Sequence, residues 1–252
     1  MELYLLCAFA FLAGFIDSIV GGGGLVQIPA FFVLYPQLPV PNIIGTNRLA
    51  SAVGTSVAAW NYARSVKIPW KTVLWAAVPA SVFSYIGATV QSLLPSSVLK
   101  PTILILIIAI AIYTFRKKDL GHKEQFNVAS EKLKWWAAGI GAVLGFYNGF
   151  IGPGTGSLLV FGFVSVIGYN FLTASAISKV INVVADASSL IFLLMHKYVL
   201  FHITLPLMVF NVAGSYLGSQ MAMLRGNAFI RRVFLVVVVG IVARFAWDVF
   251  WK

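Results

Sequence analysis

The chain has 252 residues, 60% of them hydrophobic and only 10% charged, with a formal net charge of +11. A soluble domain carries about 25% charged residues, so this composition, with a mean hydropathy of +0.92, excludes a soluble globular protein and points to a polytopic membrane protein. The basic balance does not signal nucleic acid, because the cations cluster between apolar runs, where membrane loops carry them.

Taken in order, the first half holds apolar segments at about 3–20, 24–35, 43–63, 70–94 and 99–115. The second half holds them near 134–151, 157–168, 174–195, 201–224 and 230–250. The start, Met1-Glu2, has no basic stretch, so the first segment reads as part of the mature chain and not as a cleaved signal. The second segment of each half is too short for an upright span of about 20 residues. Each follows a glycine-rich break: Gly21, Gly22, Gly23 and Gly24 in the first half, and Gly152-Pro153-Gly154-Thr155-Gly156-Ser157 in the second. Glycine holds a helix poorly and admits close backbone approach. The break therefore predicts a hairpin of two half-helices whose freed backbone groups face protein or a cavity.

The two halves repeat one another at a constant offset. Gly14 to Asn47 aligns without a gap onto Gly145 to Ser178, a shift of 131 positions. Arg48 then falls on Lys179, and Ser84-Tyr85-Ile86-Gly87 falls on Ser215-Tyr216-Leu217-Gly218. A sustained shift of this kind marks an internal repeat. A hairpin plus three spans gives each half an odd number of crossings, so the halves take opposite orientations. Arg64, Lys67, Lys71, the basic stretch Arg116–Lys134 and Arg225, Arg231 and Arg232 all fall on one side, against Lys100, Lys197 and Lys252 on the other. The positive-inside rule puts the central loop in the cytoplasm and both termini outside. The expected fold is an all-α polytopic membrane protein of two inverted-topology repeats, each a broken-helix hairpin plus three spanning helices. Its parts are a first membrane repeat at 1–115, a cytoplasmic linker at 116–133 and a second membrane repeat at 134–252. Inverted repeats with discontinuous helices mark secondary transporters, whose sites lie near the bilayer midplane.

Candidate binding residues follow. Helix starts at the two breaks present N–H groups and a positive dipole end to an anion, and Thr155 and Ser157 add hydroxyls. Close packing of small residues is the competing explanation of the glycines. Arg48 and Lys179 sit within apolar segments at equivalent places, where a charge costs a few kcal/mol or more. With Thr46, Asn47 and Ser178 they make a cationic, hydrogen-bonding pocket for a small oxyanion, unless the cations snorkel to the headgroups. Asp17 and Asp186 are acids embedded in apolar sequence, open to proton coupling or to a structural ion pair such as Asp186 with Lys179 on one helix. His122, His196 and His202 show no metal-ligand spacing. No nucleophile–base set or phosphate loop is present, so neither an enzyme nor a cofactor is expected. Tryptophans near segment ends read as interface anchors.

The paired glycine breaks, the Gly45-Thr46-Asn47 triplet and the stretch from Gly145-Phe146 to Gly156 resemble the TauE/SafE family of sulfite and organosulfonate exporters. That resemblance covers nearly the whole chain. It implies an inner-membrane permease of about eight helices for small sulfur-containing anions such as sulfite or sulfoacetate. The chain departs from the family pattern at Ile177-Ser178, where a Thr-Ser pair is usual, and at Val160, where a proline often follows the second break. The expectation is therefore a secondary transporter of a small anion, working by alternating access with proton coupling. The rivals are an anion channel with the same pocket and a non-transporting membrane subunit. The expected partners are the anionic substrate and the lipid bilayer, and the sequence sets no oligomeric state.

Overall fold

The computed structural model describes residues 1–99, 102 and 126–250. The expected segment at 99–115 and most of the linker at 116–133 lie outside the described residues, as do Lys100, Arg116, Lys117, Lys118, His122 and Lys123. The described chain is helical throughout and has no strand among the described residues.

α1 spans Glu2–Val20 and stops at Gly21, whose left-handed backbone (φ 82) returns its N–H to the Asp17 carbonyl at 2.7 Å. α2, Gly24–Leu34, has only 11 residues. α3 spans Val40–Ser65, and Pro39 and Pro41 set its start earlier than the apolar pattern implied. α4 spans Trp70–Ser92. In the second half α5 spans Leu133–Phe150. α6, Thr155–Gly162, runs into a π turn, Phe163–Ile167, that ends at Gly168 with φ 102. α7, Phe171–Met195, starts where the Asn170 side chain accepts the Thr173 N–H at 2.8 Å. α8 runs Phe201–Phe250 and joins the two last expected segments, with a non-helical break at Gly226.

Among the described residues, α1, Trp70–Leu93, α7 and Phe201–Gly226 are long and apolar enough to cross a membrane. α2 and α6 are short apolar helices, as the sequence implied. α3 is long enough at 26 residues but too polar to qualify on hydropathy. Its Thr46, Asn47, Arg48, Thr55 and Asn61 are all buried, so its polarity is spent inside the protein. The outer faces of α4 and α8 instead show Leu74, Val78, Val82, Leu205 and Val209 to the surroundings, as lipid-facing helices do. This is an all-α polytopic membrane protein.

Close packing comes from small residues. α1 lies along the first part of α8, with Gly14 against Asn211 and Ser215, and Gly218 against Phe15 and Ser18. α5 lies along α4 in the same manner, with Gly145 against Ala80 and Gly87 against Phe146. These contacts correspond residue by residue at the 131 offset. Each half therefore packs its first helix on the fourth helix of the other. The equivalent helices α3 and α7 cross in opposite directions, since Arg48 lies by Asp186 while Tyr62 lies by Ser175.

A Cβ on Gly149 would overlap the Ser84 carbonyl oxygen, whereas one on Gly139 would meet nothing within 4 Å. Gly149→Ala should lower stability by about 1–3 kcal/mol, the usual cost of overpacking. Gly139→Ala should be neutral or slightly stabilising. Thermal unfolding in detergent compares the two.

Candidate functional site

The two glycine breaks meet. A side chain at Gly21 would overlap the backbone of Gly156 and Ser157, and one at Gly156 would overlap Gly21. The Ser157 N–H donates to the Gly21 carbonyl at 2.9 Å, and the Ser157 hydroxyl to the Val20 carbonyl at 3.0 Å. Gly24 packs on Pro153. Gly152 and Gly154 hold φ 91 and φ 82, conformations that only glycine adopts freely. The sequence forms these turns because no other residue lets two backbones touch here.

Each break leaves a helix end inside the protein, and each end receives a cation from the opposite half. Lys179 of α7 donates to the carbonyl of Asp17, in the last turn of α1, and lies 3.3 Å from the Asp17 carboxylate. Arg48 of α3 donates to the carbonyl of Asn148, in the last turn of α5, and to that of Gly149 at 3.4 Å. Asp17 and Asn148 are equivalent positions of the repeat, so the two contacts are the same contact made twice. A helix C-terminus carries partial negative charge and unsatisfied carbonyls, which explains why a cation belongs there. Lys179 is fully buried and Arg48 is 4% exposed, so neither cation snorkels to the headgroups.

The acids complete these clusters. Asp17 accepts the Thr55 hydroxyl at 3.1 Å and the Gly23 N–H at 3.3 Å. Asp186 accepts the Asn148 amide at 2.9 Å and lies 3.9 Å from the Arg48 Nε. The same-helix pair of Asp186 with Lys179, one explanation the sequence left open, does not form. The residues sit on one helix, but Lys179 turns to Asp17 and Asp186 turns to Arg48.

Between these clusters lies a cavity of about 40 Å³, room for a few water molecules. Of the residues expected at the site, Asp17, Gly21, Gly24, Asn47, Arg48, Gly152, Gly154, Thr155, Gly156 and Asp186 line it. Gly22, Gly23, Thr46, Ser157, Ser178 and Lys179 stand outside the lining. Thr46 accepts the Leu200 N–H at 3.1 Å. Ser157 braces the opposite break, and the Thr155 hydroxyl is engaged by the Gly152 carbonyl at 2.7 Å. Ser178 is buried with its hydroxyl unpartnered. Sequence reasoning missed Ser51, Thr55, Asn148 and Asn182, all in the lining. The repeat offset could have found them, because it pairs Ser51 with Asn182, Thr55 with Asp186 and Asn148 with Asp17. The Oδ1 atoms of Asn47 and Asn182 are buried without a partner, so each of these two cavity amides keeps an unused acceptor.

Comparison with known proteins agrees with this architecture. A family model described as Sulfite exporter TauE/SafE matches residues 6–245. A probable membrane transporter protein, ORF9, of Sinorhizobium sp is 33% identical, covering 95% of this chain and 90% of its own length. A probable membrane transporter protein of Haemophilus influenzae is 29% identical over 99% of this chain and 96% of its own length. The Escherichia coli K12 probable membrane transporter protein YfcA is 28% identical over 95% and 87%. No solved structure matches the chain.

Removing one partner of a buried pair strands the other, at a cost of about 3–5 kcal/mol. Lys179→Met should therefore be strongly destabilised in detergent unfolding. Adding Asp17→Asn should recover part of the loss but not all, because the residue 17 carbonyl keeps only the Gly21 N–H of its two donors.

Proposed function

The chain belongs to the Sulfite exporter TauE/SafE family, and from that premise we propose that this membrane transporter is a secondary carrier of a small anion, a sulfur oxyanion or organosulfonate such as sulfite or sulfoacetate. The observation that carries the proposal is the contact of the two glycine breaks around one cavity that both halves line. Broken helices meeting at a shared polar cavity are how secondary transporters bind ions and substrates away from water.

In this reading the anion lies against Arg48, the amides of Asn47 and Asn182, and the backbone of Gly154 to Gly156. Lys179 adds positive potential from behind the Asp17 end. Small oxyanions suit such a site because each oxygen accepts several short, charge-assisted hydrogen bonds. Asp17 and Asp186 also face the cavity, and their carboxylates repel an entering anion. A proton taken up by either one offsets that repulsion, which gives proton coupling a physical cause. The present cavity is too small for a sulfonate with a carbon chain, so loading such a substrate requires the walls to part. That need favours alternating access over a standing channel.

The architecture we propose is two inverted membrane repeats, 1–115 and 134–252, joined by a cytoplasmic linker at 116–133. Both termini would lie outside an inner, plasma-type membrane. Reporter fusions at residue 120 and at the C-terminus should report opposite sides. The same side for both would end the inverted arrangement.

Transport is tested in proteoliposomes. Labelled sulfite should show saturable counterflow, accelerated by an inward proton gradient in one direction and slowed in the other. Arg48→Gln and Asn182→Ala should each reduce it by at least about tenfold, the loss of one charge-assisted or buried hydrogen bond of roughly 1.5–3 kcal/mol. Asp17→Asn should remove much of the pH dependence. A large uncoupled current without counterflow would replace the carrier with a channel, and counterflow unchanged in both variants would move the site elsewhere.

A further inference from the structure

The strongest feature outside the central cavity is a groove of about 340 Å³ between α3 and α8, lined by Trp60, Arg64, Tyr216, Gln220, Val57 and Met223 among others. We propose that this groove is a binding site for an anionic phospholipid, with the lipid phosphate at Arg64 and an acyl chain along Val57 and the Trp60 and Tyr216 rings. The assignment of this end of the helices to the cytoplasmic leaflet rests on the topology proposed above. The binding site itself does not depend on what the carrier transports.

Three observations point to this occupant. The first is polarity by depth. Arg64, Ser65 and Gln220 supply a polar, cationic end, while Val57 and the exposed faces of Trp60 and Tyr216, nearer the middle of the helices, supply an apolar flank. A headgroup and an acyl chain have that same division. The second is charge. Among the described residues no acid lines the groove, and the Arg64 guanidinium lies 4.4 Å over the Trp60 ring. Stacking holds the guanidinium in place without neutralising it, so its charge is available to a phosphate. Lys67 and Arg225 follow nearby in the chain and are exposed. Basic side chains at the cytoplasmic end of spanning helices attract anionic lipid.

The third observation comes from the repeat. The offset of 131 carries Trp60, Asn61 and Arg64 onto Ile191, Phe192 and Met195, and Tyr216 onto Tyr85. In that second copy the Phe192 ring fills the space, edge-on to Tyr85 at 5.7 Å. In the first copy the smaller Asn61 is tied back to Ser219 at 2.8 Å, and the groove stays open. The chain thus has one open, cationic groove and one counterpart filled by aromatic rings. Helix packing alone would treat both copies alike. A site for anionic lipid in one leaflet requires only the copy on the basic side.

The test uses the full chain in nanodiscs of mixed phosphatidylglycerol and phosphatidylcholine, followed by native mass spectrometry of the lipids retained. The parent should retain phosphatidylglycerol over phosphatidylcholine. Arg64→Gln should lower that retention about fivefold, as expected for one basic side chain at an anionic surface, and Trp60→Leu should also lower it. Lys67→Gln, which removes the same charge outside the groove, should behave as the parent. Equal retention of the two lipids by the parent would overturn the proposal. So would parent-like retention in both Arg64→Gln and Trp60→Leu, or an equal loss in Lys67→Gln, which would indicate diffuse attraction without a site. Displacement of the lipid by soluble glycerol phosphate at matched concentration would make the groove a free-phosphate site and likewise overturn it.

Discussion

A helix that ends inside a membrane protein leaves carbonyls that water cannot reach, and here each such end is closed by a cation from the other half of the chain. Lys179 closes α1 at Asp17, and Arg48 closes α5 at Asn148. In a low-dielectric interior an unpaired carbonyl and an unpaired ammonium are both costly. Neither the broken helix nor the buried cation is therefore stable alone. Each half supplies what the other lacks, so the two breaks become stable only when the halves are assembled. With Asp17 and Asp186 the cluster holds two cations and two acids, so its formal charge balances while its dipoles stay ordered.

The duplication is not exact, and the departures are chemically coherent. In the first half the acid is on the hairpin helix and its hydroxyl partner on α3, as Asp17 and Thr55. In the second half the acid is on α7 and its amide partner on the hairpin helix, as Asp186 and Asn148. The cations differ to match. Lysine is a point charge and ends on one residue, Asp17, through both its carbonyl and its carboxylate. Arginine is a fork and spans the carbonyls of Asn148 and Gly149 together with Asp186. With Asn148 in place of an acid, Arg48 keeps part of its guanidinium at the cavity wall, while Lys179 is withdrawn behind its partner. One half thus presents a cation to the cavity and the other presents mainly amide and backbone.

Much of this was legible in the sequence, and the part that was not has a physical reason. The glycine breaks and the short second helices are local patterns, and both appear in the fold. The positions of Arg48 and Lys179 stood out because a charge in an apolar run is rare. Their partners were hidden because they are contacts between distant segments. Spacing along one helix suggested Asp186 for Lys179, yet the pairing crosses the halves. Thr155 and Ser157 read as donors for a ligand, but both hydroxyls are engaged by the carbonyls that glycine turns expose. Asn182 and Ser51 carried no local signal. Only their equivalence under the repeat, combined with their place one turn beyond the cations, marks them as cavity residues.

The packing also decides where the molecule can divide. α1 and α8 touch backbone to backbone through Gly14 and Gly218, and α4 and α5 do so through Gly87, Gly145 and Gly149. Such contacts bury no flexible side chain that could yield, so each pair is a unit held backbone against backbone. α3 joins the first unit through Asn61 and Ser219, and α7 joins the second through Ser84 and the Ala185 carbonyl. Each unit therefore mixes helices from both halves. The polar contacts of the site cross from one unit to the other, as Arg48 to α5 and Asp186, Lys179 to Asp17, and Ser157 to Gly21, and packing crosses beside them, as Tyr62 by Ser175 and Ala52 with Leu190. The acid partners Thr55 with Asp17 and Asn148 with Asp186 lie within single units. The seam is held by two cations on carbonyl ends, and the cavity runs along it with Arg48 in its wall.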